Sequence, residues 1–581
     1  MFRWVLIGIF ICGPVYSENA SESFRQLWQE EWAYRLEQQP ELATSVGNHD
    51  YNDRLTSVAL DELNARYVYW KRVLKRTLQI QPEALDNNER INLAIFKRQI
   101  QSFVDNYEMD AHLIPLNSDW GFHIAWARMP DNVPLNNLKD YQNYLARLEQ
   151  IPEVMDQYIT LMRLGIKKGM VLPKVVLQGR DASIKTHLVD DVTQSVFYAP
   201  LLSLPEQIDQ NRQTQLTQQA KIIIEQGVIP AYARFLDFFN GEYTQGARES
   251  LAANDLPNGS RYYQQQIEYY TTLQLSADEI HQLGLSEVAR IRKEMDKIIA
   301  DIKFDGHFAD FLNFLRTDPQ FYARTPKELL AAASYVVKKM DGRLPSLFKT
   351  LPRQPYGVAP VPEDLAPFFT TGRYSGASAD STKGGYYWVN TYNLPSRTLY
   401  TLAALSLHEA VPGHHLQIAL AAEQAEQPEF RRNNYISAFG EGWALYAEWL
   451  GVEAGIYETP YEDFGRLTYE MWRACRLVVD TGVHAKGWTR DQALAYMTEN
   501  TALSTHEITT EVDRYISWPA QALSYKLGEL KIKELRRKAS QALGKQFDLR
   551  QFHDVVLSEG SVPLDVLSSQ VERYIQSAKG E

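Results

Sequence analysis

Residues 405–417, LSLHEAVPGHHLQ, place two kinds of metal-binding side chain within one short stretch. A histidine and a glutamate side by side, with a second histidine one helical turn on, form the H-E-x-x-H pattern. Its imidazoles bind zinc and its carboxylate works on a metal-activated water. Here that spacing is interrupted: four residues after His408 stands Pro412, and the next histidines are His414 and His415. On a straight helix His408 and His414 would lie roughly 9 Å apart along the axis and point about 120° apart, too far to share an ion. His415 returns to the same face, but roughly 10.5 Å along. Pro412 cannot donate to the carbonyl of His408 and its ring clashes there, so the helix must break or bulge. Gly413 then lets the backbone fold back and return a histidine to the level of the first. On spacing alone two readings stand. One is a metal site folded across the Pro-Gly break; the other is a helix that ends there, with ordinary surface histidines after it.

A second stretch, residues 439–448, reads FGEGWALYAE and begins on a helical pattern downstream of the first. In a His₂Glu zinc site the third ligand is a carboxylate. Glu441 is the best-placed acid, and glycine on both sides of it points to close backbone approach. Glu448 lies two turns on, on the same face, where it fits either a carboxylate behind a ligand or a plain solvated glutamate. A third stretch runs from Asp480-Thr-Gly-Val-His484 to Arg514, Trp518, Gln521 and Tyr525. Those last four fall at i, i+4, i+7 and i+11, one donor stripe if the helix is continuous, though Pro519 threatens that continuity. Such a stripe would suit Tyr525 as an oxyanion stabiliser, with substrate-positioning groups beside it. Asp480 and His484, four apart, read as an oriented acid/base pair or as an ordinary helix-surface pair.

The elements that must hold these groups are mostly helices. Apolar residues recur at helical spacing from about residue 21 to 343, and again from Thr398 to the C-terminus. Ser276-Ala-Asp-Glu279 has the form of a capping box, and Thr325-Pro-Lys-Glu328 opens another helix with proline where a helix tolerates it. Between Pro345 and Pro395 seven prolines make a sustained helix improbable. Within that stretch residues 386–392, YYWVNTY, are the best strand candidate. The reading is a mainly-α protein with a small β insert at about 368–392.

Composition narrows the partners. The 581 residues carry 60 basic and 72 acidic side chains, a net charge of −12, which disfavours nucleic acid as a main partner. With 45% hydrophobic and 23% charged residues the chain is globular, and two cysteines exclude a disulfide scaffold or a Cys-based zinc ribbon. Residues 4–12, WVLIGIFIC, are too short to span a bilayer and are followed by Gly13-Pro14 and Val15-Tyr16-Ser17. Residues 1–17 therefore read as a cleaved signal peptide of a secreted or periplasmic protein. A lipoprotein through Cys12 is the less favoured reading, because Ile11 stands where a small residue is wanted.

Taken in order, HEAVPGHHLQ, GEGWALYAE, RLVVDTGVHAKGWT and EVDRYISWPAQALSYKLG resemble the bacterial family called DUF885, a domain of unknown function placed with zincin-type metallopeptidases. Residues 40–47, PELATSVG, also look like that family's N-terminal segment. The resemblance implies a large two-lobed helical body with a cleft, an N-terminal lobe over 18–260 and a C-terminal lobe over 261–581 carrying the metal site. It implies His408, His414 and Glu441 as ligands of one zinc ion, with His415 the alternative to His414. Glu409 would be the general base, while Tyr525 and His484 would face the scissile carbonyl. Residues 385–392, with Tyr387 and Asn390, would be the edge along which a peptide backbone lies. Arg514 and Gln521 would position substrate, and Arg373, Tyr374 and Lys526 are candidates for its carboxylate. The implied activity is hydrolysis of short peptides, from the C-terminal end by analogy alone. A metallohydrolase of another amide or ester, or a metal- or peptide-binding protein without turnover, are the rivals.

Overall fold

The structure, a computed structural model, describes residues 14–363, 366, 369–376, 384–424 and 426–580. The leader expected over 1–17 lies outside these residues apart from 14–17, whose backbone opens the helix Pro14–Gln38. Helices dominate, joined by one three-stranded sheet. The capping box forms as read: Ser276 Oγ accepts from the Glu279 amide while the Glu279 carboxylate accepts from the Ser276 amide, starting Ala277–Asp301. Thr325 likewise caps Pro326–Asp341. Among the described residues no helix is long and apolar enough to cross a membrane.

The apolar side chains gather into two large cores that do not follow a boundary at 260. One draws mainly on 109–321 and 464–527, the other mainly on 24–104, 403–456 and 532–575. Both cores draw on residues from either side of 260, because periodicity shows which face of a helix is apolar, not which distant helix covers it. Helix Pro460–Lys486 runs through the first core, buried on nearly every face from Phe464 to His484. It crosses Ala277–Asp301 where Gly284 sits, and a Cβ there would stand 2.8 Å from side-chain atoms of Leu477 and Val478.

The sheet begins earlier than expected. Strands β1 (Tyr356–Pro360), β2 (Gly372–Ser375) and β3 (Gly385–Val389) lie in the order β1-β3-β2, with β3 parallel to β1 and antiparallel to β2. A smaller apolar cluster, including Tyr387, Val389, Leu402 and Leu405, packs the sheet on the helices Pro326–Asp341 and Leu399–Glu409. Because β3 is central, both its edges are paired, and the expectation that residues 385–392 offer an open edge is wrong. The alternating aromatic pattern identifies a strand, but strand order depends on pairing that one strand's pattern does not carry.

Candidate metal centre

Helix Leu399–Glu409 ends at the expected break, and a new helix, His414–Ala422, begins five residues later. The Val411–Pro412 peptide between them is cis. Gly413 is obligatory here: a Cβ would stand 1.9 Å from the carbonyl oxygen of His408 and 2.4 Å from that of Leu407. Trp443, on helix Ser437–Glu453, donates from Nε1 to the Pro412 carbonyl at 2.7 Å and fixes the loop to the second helix. Folded this way, His408 and His414 lie with ring centroids 4.9 Å apart.

Glu441 closes the group. Its Oε2 is 3.6 Å from His408 Nε2 and 3.5 Å from His414 Nε2, and one atom from each residue lies within 4.8 Å of the others. Ligand atoms about 2.0–2.1 Å from a tetrahedral ion lie roughly 3.4 Å from one another, and the two separations from Glu441 to the imidazoles are close to that value. Burial works against charge on His408, but Glu441 and Glu448 outweigh it and push its pKa up to about 9. Burial likewise opposes ionisation of Glu441, yet the two imidazoles hold its carboxyl well below the usual range. Two imidazoles and a carboxylate sharing one polar point make a set that a cation satisfies.

The supporting groups are also specific. His408 Nδ1 bonds Glu448 Oε1 at 2.8 Å, which aims Nε2 at the cluster, and Arg473 stands 3.6 Å from the same Glu448 oxygen. Glu448 is thus buried behind His408 rather than solvated. Glu409 accepts the backbone N–H of Tyr374 on Oε2 at 2.8 Å, tying the last residue of its helix to strand β2. Of the two adjacent histidines, His415 is 1% exposed and turned elsewhere: Nδ1 pairs with Tyr374 Oη at 2.8 Å, and the backbone of Gln354 also bonds the ring. Burial pushes its pKa down to about 4. His414, not His415, joins the cluster.

Several expected substrate residues are not available to a substrate. His484 is 0% exposed; its Nδ1 accepts from the Ala253 amide at 3.1 Å and its Nε2 bonds the Tyr515 carbonyl at 2.9 Å, leaving no nitrogen for a scissile carbonyl. Lys526 is 0% exposed and bound to Glu470, Glu529 and Glu287 at 2.7, 2.6 and 3.1 Å. Asn390 is buried, donating to the carbonyls of Ala366, Phe369 and Thr370 and accepting from the Tyr392 amide. Tyr387 is buried in the cluster beneath the sheet, and Tyr374 points inward to His415. Each is a polar or aromatic type that sequence cannot separate into wall and floor. Arg373 does remain exposed on β2, its guanidinium 5.2 Å from the Phe369 ring centroid.

The donor stripe is not one helix. Thr505–Ser517 ends, Ala520 takes a left-handed φ of 68°, and Tyr525 belongs to the next helix, Ser524–Leu543. Arg514 reaches back across the break to Gln521 Oε1 at 2.8 Å and pairs with Glu511 at 2.9 Å. Tyr525 stacks beneath Arg476, whose Cζ is 4.3 Å from its ring centroid. Sequence reading missed Tyr435, whose ring is 51% exposed while its hydroxyl donates to Glu441 Oε1 at 3.1 Å. The available signal was Gly440: a Cβ there would meet the Tyr435 ring at 2.5 Å, so the glycine beside Glu441 makes room for this tyrosine.

The chain matches the model of a family described as "Bacterial protein of unknown function (DUF885)" over residues 40–571. It is similar to the crystal structure of "the putative lipoprotein from Colwellia psychrerythraea", at 30% identity and a TM-score of 0.89, covering 97% of this chain and 100% of that one. It also shares its fold with "a putative lipoprotein of unknown function from Shewanella oneidensis", at 19% identity and a TM-score of 0.74, covering 96% and 99%. No curated protein matches it.

Proposed function

The chain belongs to the DUF885 family, and we propose that it is a zinc-dependent hydrolase of short peptides. The observation that carries this reading is a carboxylate with one oxygen held and the other without a hydrogen bond to any described residue, next in sequence to His408 of the three-donor cluster. His408, His414 and Glu441 would hold the ion. Bound there, zinc supplies a Lewis acid for the carbonyl and a water with a pKa near 7. The Tyr374 amide occupies Glu409 Oε2, so Oε1 is the oxygen that takes the proton from the attacking water and returns it to the leaving amine. Tyr435, whose hydroxyl is tied to Glu441, and Tyr525 would be the phenols that donate to a developing oxyanion. The outer edge of β2 replaces β3 as the strand against which a substrate main chain lies, with Arg373 beside it for a carboxylate.

Export to the periplasm or beyond is part of the proposal. The apolar leader supports it, and so do the descriptions of the two similar proteins as lipoproteins. Those descriptions also bring Cys12 forward as a lipid attachment point, which the mass of the exported chain decides.

The activity is tested on a mixed peptide library, followed by mass spectrometry, with zinc-loaded protein, chelated protein and Glu409→Gln. Cleavage confined to the zinc-loaded wild type is the expected result. No cleavage by it sinks the peptidase reading, and cleavage retained by Glu409→Gln sinks the role given to that carboxylate.

A further inference from the structure

The third sequence stretch, with Asp480, His484 and the 514–521 turn, finds no catalytic use in the structure, yet it is held by an unusual number of buried polar contacts. Asp480 accepts from Tyr263 Oη at 2.6 Å and from the Ala520 amide at 3.1 Å, fixing the left-handed residue of the turn. His484 joins the Ala253 amide to the Tyr515 carbonyl. Ser517 Oγ bonds Ser118, and Trp518 Nε1 donates to Tyr270 Oη. These contacts frame a cavity of about 270 Å³ between this turn and the first half of the chain. Trp120, Tyr262, Tyr270, Trp518 and Arg248 are among the residues that line it, and none of the metal-cluster residues does.

From this frame we infer that the cavity is a second binding site, for a small carboxylate with a flat apolar body, of amino-acid size. The anion is argued from Arg248. Its Nε donates to the Val171 carbonyl and its Nη1 to those of Ser250 and Ala252, at 3.1, 2.9 and 2.7 Å, while Nη2 has no partner among the described residues. No carboxylate of the described residues lies within ion-pair distance, and Asp255 acts on it only from farther away. A cation that is largely out of water and held by neutral carbonyls retains most of its attraction for an anion. Burial also pushes this guanidinium down to about 10, the direction expected of a charge without a counter-ion. Tyr270 Oη accepts from Trp518 Nε1 and donates to none of the described residues, so its proton is available to a ligand. The flat body is argued from four aromatic walls, and the size from a volume just below the roughly 300–1,000 Å³ of pockets for drug-sized ligands.

The test titrates the full chain calorimetrically with 3-phenylpropionate and with its uncharged amide, 3-phenylpropionamide, in the presence of a chelator. The acid is expected to bind about tenfold tighter than the amide or better. Arg248→Gln brings the acid down to the level of the amide, and Trp120→Ala, at a residue 52% exposed, weakens both ligands. Equal affinities for acid and amide, or no binding of the acid up to roughly 10 mM, overturn the inference. So does acid binding that Glu441→Gln abolishes, because the ligand then sits at the metal cluster. Should Arg248→Gln fail to fold after losing its carbonyl contacts, the wild-type acid-to-amide ratio and Trp120→Ala still decide.

Discussion

His408 has one nitrogen to offer, because Nδ1 is committed to Glu448 at 2.8 Å. That commitment sets the tautomer and the ring orientation, and groups of this kind typically govern metal affinity by about 10–100-fold. Glu448→Gln is therefore expected to weaken zinc binding by about that range in a competition titration, with the fold retained by circular dichroism; an unchanged affinity removes Glu448 from the account. Gly413 carries a harder constraint. A methyl group placed 1.9 Å from a carbonyl oxygen cannot be accommodated without moving the loop that returns His414 to His408. Gly413→Ala should lose zinc binding altogether, while a variant that still binds stoichiometrically shows that the break tolerates another path. This part of the site was legible in the residues themselves. Pro412-Gly413 announced the break, and Glu441 between two glycines announced close packing. The choice between His414 and His415 was not legible, since both follow the glycine and only Tyr374, from a distant strand, takes one of them away.

Helices Ser437–Glu453 and Ser524–Leu543 cross backbone to backbone. A Cβ on Gly442 would meet the Gly528 Cα at 2.5 Å, and one on Gly528 would meet the Ala438 carbonyl oxygen at 1.9 Å. This crossing positions Glu441 and the start of the helix that bears Tyr525. Gly528→Ala is expected to destabilise the protein by about 1–3 kcal/mol or more in denaturant unfolding and to weaken metal binding with it; a loss of stability without any effect on metal would uncouple the crossing from the site. At this scale the sequence was a partial guide. Caps at Ser276 and Thr325 declare helix starts through local chemistry, and both form. The stripe from Arg514 to Tyr525 relied on a continuity that local chemistry does not fix. Its interruption depends on Ala520, whose left-handed backbone is held by Asp480 from another helix. Strand β3 was visible as alternating aromatics, but its place at the centre of the sheet requires β1 and β2, and those two strands, not β3, form the sheet's edges.

The two cores interleave early and late parts of the chain. One buried acid reports on the integrity of the first core. Burial raises the Asp480 carboxyl from 3.8 to about 7, against the pull of Tyr263 and the Ala520 amide. The folded state therefore holds this proton more tightly than the unfolded chain. The resulting stabilisation is complete below about pH 4 and is lost as pH rises through about 7. Asp480→Asn removes the titration, so its melting temperature should fall less than that of the wild type between pH 4 and 8; identical slopes would mean that Asp480 is ionised in the folded protein throughout. The acidic balance disfavours nucleic acid as a main partner, and with only two cysteines a metal site in this chain would draw on imidazole and carboxylate rather than thiolate. We propose that His408, His414 and Glu441 hold one ion while His415 does not. Metal content by plasma mass spectrometry, after zinc loading and desalting, tests it directly in the wild type, His414→Ala, His415→Ala and Glu441→Ala. The account predicts about one zinc per chain in the wild type and His415→Ala, with its loss in the other two. Zinc kept by His414→Ala and lost from His415→Ala, or a wild type that takes up none, would contradict it.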